Sequence, residues 1–353
     1  MDTAEDRSES IRLIRDSAAA VAPRGGDLRR IRALRFQSPG FDREIWQQMC
    51  ELGWTGLRLP EASGGSALGA SEFCALAEEL GWALAPEPLM QTALAAALLP
   101  PDHAAELISG RRLVLPAWQE RPNSLALHGD VTLDGDRLTG IKRFIPLAAG
   151  ADAFLVTIEG AVALVAANAP GLTLQIEPTQ DGGHFGTLTL ADTPAEIFPA
   201  DPIPALEEAT LATAAYLLGV MDHAFAITLD YLKTRQQFGR PIGSFQSLQH
   251  RAADLQIQIA LTRASVDSAA ATIDSQAPAA LKQAAVSRAK ARASDAAMLV
   301  TRQAIQLHGG VGYADEHDIG LFLRRAMVLS NLHGSSALHR ARFLALSPEQ
   351  DDE

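Results

Sequence analysis

Two segments in the last third of the chain carry residue types that could hold a flat, anionic ligand. In the first, Arg235, Phe238, Gly239, Arg240 and Pro241 are followed by Ile242, Gly243, Ser244, Phe245 and Gln246. A guanidinium fork matches paired phosphate oxygens, so an arginine at one helix end, an intervening aromatic and a glutamine just inside the next helix could clasp a phosphate and a planar ring together. The first helix is expected to end near Gly239, Pro241-Ile242-Gly243 to form a rigid turn, and Ser244 to cap the helix that follows. A helix hairpin with a surface arginine is the plainer reading of the same letters. In the second segment, Gln306-Leu307-His308 runs into Gly309-Gly310-Val311-Gly312-Tyr313. Glycines after a helix allow close backbone approach, and their exposed N–H groups can receive phosphate oxygens. The residues before them have helical rather than strand character, so this is not the dinucleotide-binding fingerprint.

Three stretches of different composition must position these segments. From Ser8 to Leu99 apolar residues recur at helical spacing, as in Ile45, Met49, Leu52 and Phe73, Leu76, Leu80. Asp42 is the expected cap of one such helix, and Gly53 its end. Between Leu113 and Phe198 the pattern changes to short apolar runs divided by turn residues: Leu125–His128, Val131–Leu133, Phe154–Ile158, Ala161–Ala166 and Gly186–Ala191. Asp134-Gly135 and Ala169-Pro170-Gly171 are the turn signals, and an antiparallel sheet domain follows from them. Beyond Pro204 the chain is helical again, and four or five packed helices are expected. The fold class is α+β in the order helical, sheet, helical, with boundaries at 1–110, 111–200 and 201–353.

The whole-chain arithmetic excludes several classes of function. With 353 residues, 47% of them hydrophobic and 20% charged, the chain can bury a sizeable core. A formal charge of −12 is a poor match for a polyanion, so nucleic-acid binding is not expected. Two cysteines, Cys50 and Cys74, make neither a disulfide framework nor a zinc site. No secretory signal opens the sequence, and its most apolar stretch, Leu84 to Leu99, is broken by Pro86, Glu87 and Pro88. A soluble, cytoplasmic protein without membrane attachment is expected, with the acidic run Glu349–Glu353 a solvated terminus. Asp315, Glu316, His317 and Asp318 carry metal-ligand letters, but neighbouring loop residues rarely converge on one ion, and no metal is expected.

Taken together, the two glycine-bearing segments resemble the acyl-CoA dehydrogenases, FAD-dependent enzymes that introduce an α,β-double bond into an acyl thioester. The resemblance extends to Leu52-Gly53-Trp54-Thr55-Gly56-Leu57, Pro60-Glu61-Ala62-Ser63-Gly64-Gly65, Glu78-Glu79-Leu80-Gly81, the stretch Leu138 to Ile145, and Phe322-Leu323-Arg324-Arg325-Ala326. It implies that Arg235 meets the FAD pyrophosphate, normally that of a neighbouring subunit, with Phe238 on the adenine side and Gln246 as a polar contact. It also implies that Gln306, Gly309 and Gly310 hold adenosine and phosphate groups, that Phe144 and Ile145 flank the isoalloxazine, and that Ser335 touches the cofactor. An oligomer follows, homomeric or heteromeric and commonly a dimer of dimers, with an acyl-CoA substrate and electron-transfer flavoprotein or another electron acceptor.

Several positions depart from the family pattern. A glutamate before a Gly-Thr pair commonly abstracts the α-proton; here the stretch reads Asn331-Leu332-His333-Gly334-Ser335. A minority of the family places the base at the start of the first C-terminal helix, where Ala209 aligns, with Glu208 one residue before it and Thr210 where an arginine is common. The loop that covers the flavin has collapsed to Pro116–Ser124, and Pro146 removes a backbone donor. Two readings result. His333, or failing it Glu208, serves as base in a self-sufficient enzyme. Alternatively the chain is one subunit of a heteromeric enzyme and lacks its own base, as in the two-chain enzymes of bacterial steroid side-chain degradation. A scaffold without flavin would leave Gln306–Gly310 unexplained.

Overall fold

The computed structural model describes residues 4–127 and 129–347. Its helices are α1 (Ala4–Ala18), α2 (Arg29–Leu34), α3 (Arg43–Glu51), α4 (Ala70–Trp82), α5 (Leu89–Leu98), α6 (Pro101–Ile108), α7 (Ile203–Thr234), α8 (Gln246–Asp274), α9 (Ala279–His308), α10 (Ile319–Leu329) and α11 (Ser336–Leu346). Its strands are β1 (Val114–Ala117), β2 (Thr132–Asp134), β3 (Arg137–Pro146), β4 (Ala153–Ile158), β5 (Ala161–Ala166), β6 (Leu172–Pro178), β7 (His184–Pro194), β8 (Glu196–Pro199), β9 (Gln236–Gln237) and β10 (Arg240–Pro241). A helical N-terminal part, a middle sheet part and C-terminal helices follow one another, as expected. Two compact units emerge: residues 29–73 with 86–209, and residues 1–28 with 74–85 and 210–353.

The first unit is built around two four-stranded sheets, ordered β1-β4-β5-β8 and β2-β3-β7-β6. The pairings are antiparallel, as expected of this domain, except β1 with β4, which run parallel. Strand β4 is buried along its length because both faces are covered. Phe154 and Val156 meet Leu138, Leu188 and Leu190 of the other sheet, whereas Leu155 packs with Leu94 of α5 and Leu107 of α6. Leu125 to Leu127 form no strand, and His128 lies outside the described residues. The carbonyl of Leu127 instead accepts from Lys142 Nζ and Thr157 Oγ1, which fastens this stretch as a loop. Asp42 caps α3 by accepting from Glu44 and Ile45 N–H, and Gly53 lies just beyond the helix at φ +78°.

The second unit is helical, and α9 packs against α8, α10 and α11. Helix α7 is long and apolar enough to cross a membrane by length and composition, more so than Leu84–Leu99, but most of its apolar window is buried against protein. Where α4 meets α7, glycines replace a side-chain layer. A Cβ on Gly81 would sit 2.0 Å from the Tyr216 carbonyl oxygen, and one on Gly219 1.9 Å from that of Glu78. Residues Glu349–Glu353 lie outside the described part of the chain.

Candidate functional site

The expected helix end near Gly239 falls earlier. Helix α7 stops at Thr234, and β9 and β10 form a two-residue hairpin whose tip is Phe238-Gly239. Both tip residues have positive φ, +53° and +77°, the geometry of a tight primed turn. Ser244 does not cap α8; its hydroxyl donates to the Pro241 carbonyl, and the N-cap position is Phe245, whose side chain offers no acceptor. Gln246 opens α8 as expected. The hairpin turns its side chains outward: Arg235 and Gln246 are exposed and Phe238 is 92% exposed. Its base is held by Arg240, whose guanidinium lies 4.2 Å from the Phe245 ring.

The end of α9 is set beside the end of α7. His308 is buried, stacks on Tyr231 at 4.5 Å, and donates from Nδ1 to the Ala304 carbonyl at 2.8 Å, which leaves its Nε2 buried without a hydrogen-bond partner. Beyond it, Gly309 and Gly310 form a 3-10 turn with open space where a Cβ would stand, and Gln306 is exposed. Arg235 and Gln306–Gly310 therefore leave two neighbouring helix ends.

His333 stands in a different setting. Only 4% exposed, at φ +59°, it lies in the turn between α10 and α11 with Nδ1 hydrogen-bonded to Thr213 Oγ1 at 3.1 Å. Its carbonyl accepts from His339 Nε2 at 2.9 Å. Buried Lys290 ties the same turn down, donating to the carbonyls of Leu329, Ser330 and Gly334 and to Ser294 Oγ. Burial, with Lys290 and His339 close by, pushes the His333 pKa down to about 3. Burial also lowers Lys290 to about 7. Ser335, expected at the cofactor, is the N-cap of α11 and accepts from Leu338 N–H. Sequence reading missed Lys290, because a lysine in an alanine-rich helix reads as a solvated charge.

The remaining expected residues belong to the sheet-bearing unit. Both carboxylate oxygens of Glu208 are held by Arg58, at 2.8 and 2.6 Å, and Arg58 also donates to the Leu68 carbonyl. Phe144 sits in a bulge of β3 at φ +58°, edge-on to Phe185. Such bulges re-aim side chains beside functional sites. Ile145 is 1% exposed and belongs to the core between the sheets, so its side chain reaches no ligand. Lys142, fully buried, bonds to Glu120 Oε1 at 2.7 Å, to Thr157 Oγ1, and to the carbonyls of Trp118 and Leu127. It anchors the shortened loop after β1. Among the described residues no group of three or more His, Cys, Asp or Glu is placed to hold a metal.

Sequence and fold together match a known family. Residues 8–100 match the acyl-CoA dehydrogenase N-terminal domain and residues 203–345 the acyl-CoA dehydrogenase C-terminal domain. The chain belongs to the acyl-CoA dehydrogenase family, whose members are FAD-dependent oxidoreductases. It is 33% identical over 343 residues to acyl-CoA dehydrogenase IpdE2 of Mycolicibacterium smegmatis, covering 94% of each chain. Among solved structures it resembles the steroid ACAD Tcur3481–Tcur3483, with a TM-score of 0.85, 31% identity and 97% of each chain covered. It also resembles the ChsE4–ChsE5 complex of Mycobacterium tuberculosis, with a TM-score of 0.85, 28% identity, and 99% and 100% of the two chains covered.

The residues present fit FAD on physical grounds. An exposed guanidinium, exposed amides and two open glycines are the donors a diphosphate needs. An almost fully exposed phenylalanine at a hairpin tip is costly in water and suits a planar ring.

Proposed function

We propose that this chain is one subunit of a heteromeric acyl-CoA dehydrogenase: it lends Arg235, Phe238 and Gln246 to an FAD shared with a related chain, and that chain supplies the α-proton base. The observation that carries this reading is His333. A group with a pKa near 3 is a weak proton acceptor at neutral pH, and the ring nitrogen facing Thr213 is already engaged. Glu208 is no better placed, since Arg58 holds both of its oxygens. The self-sufficient reading thus lacks a free base among the residues it named.

In this reading Arg235 pairs with the FAD diphosphate, Phe238 covers its adenine, and Gln246 fixes its orientation. Gln306 and the N–H groups of Gly309 and Gly310 would hold adenosine and phosphate groups, and Phe144 would be a ring-system contact. Bound FAD supplies the two-electron acceptor for α,β-dehydrogenation. Lys290 holds the His333 turn in place through the carbonyls of Leu329, Ser330 and Gly334. The likeness to a steroid ACAD supports a steroid-derived acyl-CoA as substrate class.

The test is co-expression with the acyl-CoA dehydrogenase chain encoded beside this one, provided that chain carries the glutamate. The assembled enzyme should hold FAD and oxidise acyl-CoA, and His333→Ala should change turnover less than about threefold. Loss of a working base costs about 10²–10⁴-fold. A loss of that size, or full acyl-CoA oxidation by this chain alone, overturns the reading.

A further inference from the structure

We infer that His308 and His317 are positioning residues for the cofactor: the two imidazoles close into a hydrogen-bonded pair, His317 Nε2–H donating to His308 Nε2, and so lock the glycine turn between them. This rests on the reading that Gln306 to Gly310 hold FAD, and it assigns a device to two residues outside that contact set.

The proton positions follow from the hydrogen bonds each ring already makes. His308 Nδ1 lies 2.8 Å from the Ala304 carbonyl, which can only accept, so Nδ1 carries the proton and Nε2 is a bare acceptor. That acceptor is buried and unpartnered. His317 Nδ1 accepts from the Ile319 N–H at 3.2 Å, so the proton of the neutral ring sits on Nε2. One ring lacks a donor and the other carries one. Their centroids are 4.8 Å apart at 61°, near enough for a small swing of His317 to bring the two nitrogens together. Leaving a buried acceptor unpaired is costly, and closure of the pair recovers that cost.

The surroundings hold one ring and leave the other free to swing. His308, 2% exposed, is stacked on Tyr231 at 4.5 Å, and the Tyr231 carbonyl accepts from the Arg235 N–H. It is thereby fixed to the helix end that carries the arginine. His317 is half-buried in the loop before α10. Between the two runs Gly309–Tyr313, seated directly on His308: a Cβ on Gly312 would stand 3.1 Å from His308 Cβ and 2.6 Å from the Ile305 carbonyl oxygen. At the start of the same turn, Gly309 and Gly310 have open space where a Cβ would stand. Binding at those glycines and closure of the pair engage one segment, so each favours the other.

The pair needs both rings neutral. A proton on His308 removes the acceptor, and a second proton on His317 sets a donor against the Ile319 N–H. Burial, with the His317 charge adding to it, keeps the His308 pKa below the usual imidazole value. On α7 the charged neighbours are Asp230 and Lys233, paired with each other, and Arg235 beyond them; on α9 there is Arg302. On the other side Asp315 is paired with Arg324 of α10, and Glu316 and Asp318 flank His317, with the Asp318 charge also reaching His223 of α7. None of these gives His308 Nε2 a partner.

The test uses the assembled enzyme from co-expression with the neighbouring-gene chain, with FAD retention read from flavin absorbance after dilution. His317→Asn keeps an acceptor for the Ile319 N–H but falls short of His308, and should weaken retention about threefold to tenfold, the span of one hydrogen bond. His317→Gln, whose amide offers a donor at the distance of Nε2, should restore most of it. His308→Phe keeps the stacking on Tyr231 and should cost about as much as His317→Asn. The two together should cost no more than either alone, because one bond is lost once. In the unsubstituted enzyme retention should fall as pH drops below about 6, where imidazoles protonate, and that fall should be shallower in the double variant. Additive losses, or retention that rises in acid as it would beside a cation for the diphosphate, overturn the pair. Nitrogen NMR of the histidine-labelled holoenzyme gives a measurement free of any substitution: His308 protonated on Nδ1, His317 on Nε2, and coupling across the N–H···N bond. The same tautomer on both rings, or no coupling, overturns the pair. Retention indifferent to the histidine variants but lost in Arg235→Ala overturns the pair and leaves the cofactor reading standing. An assembled enzyme that holds no FAD overturns both.

Discussion

Within the helical unit, the His333 turn and the Arg235–Gln246 hairpin are built in opposite ways. Around His333 the polar groups look inward: Lys290 closes on three carbonyls, His339 on a fourth, and Thr213 on the imidazole. At the hairpin the polar and aromatic groups look outward, with Phe238 in water and Arg235 exposed. The inward cluster satisfies itself and holds a fold together. The outward one is incomplete and serves something outside the chain. Residue type alone does not separate the two, since both carry cations, amides or imidazoles in alanine-rich helical surroundings.

The largest effect is expected from breaking the inward cluster. Lys290→Met would leave the carbonyls of Leu329 and Gly334 without their donor, that of Ser330 keeping only Ser294 Oγ, and each unsatisfied buried group costs about 1–3 kcal/mol. A loss of about 3 kcal/mol or more in urea unfolding is expected, and a loss below about 1 kcal/mol would show that the cluster bears no weight. Next comes the outward cluster. Arg235→Ala should weaken FAD retention about tenfold or more while leaving unfolding of the flavin-free chain within about 0.5 kcal/mol. Flavin absorbance per assembled protein measures the first and thermal unfolding the second; equal damage to both would erase the distinction.

A pH titration sharpens the comparison further. The His333 and His339 pKa values are lowered from 6.5 to about 3, so between those values the unfolded chain binds more protons than the folded one. Stability from these groups is therefore complete above about pH 6.5 and is lost as pH falls toward 3. His333→Gln should make that slope shallower by about one proton, read from urea unfolding at several pH values. Smallest of all, Phe238→Ser should leave stability unchanged or slightly raised, because no buried contact is lost. A clear loss of stability would mean that the ring packs within its own chain.

The residues that were legible in the sequence are those whose signal is local. Asp42 as a cap, Gly53 as a stop, and the strands over Phe154–Ile158 and Ala161–Ala166 all follow from neighbours a few positions away. Helix α7 ends at Thr234 instead of Gly239 because the primed turn at Phe238-Gly239 prefers a hairpin, and only the glycine of that pair is a sequence signal. Strand β1 was not anticipated because its parallel partner, β4, lies more than thirty residues away. Ile145 is a buried β-strand side chain, which its letter does not distinguish from a ligand contact, and the letter of Ser335 does not by itself announce the cap it forms on α11. The fate of Glu208 depended on Arg58, 150 residues distant, and no spacing rule reaches that far.

The glycine crossing of α4 and α7 bears on how this protein can change over evolutionary time. Because Gly81 meets the Tyr216 backbone and Gly219 the Glu78 backbone, the crossing has no side chains that could be exchanged to adjust it. Glu78 lies in the same turn, and its carboxylate is shared by Arg15 and Arg263, the latter also reaching Asp222. A methyl group at either glycine would have to shift a helix and with it three charged partners at once. Drift elsewhere in the chain can be gradual, one substitution compensating another. At this joint the sequence has almost no neighbouring variants to move to, so here identity with relatives should survive longest as the rest of the chain diverges.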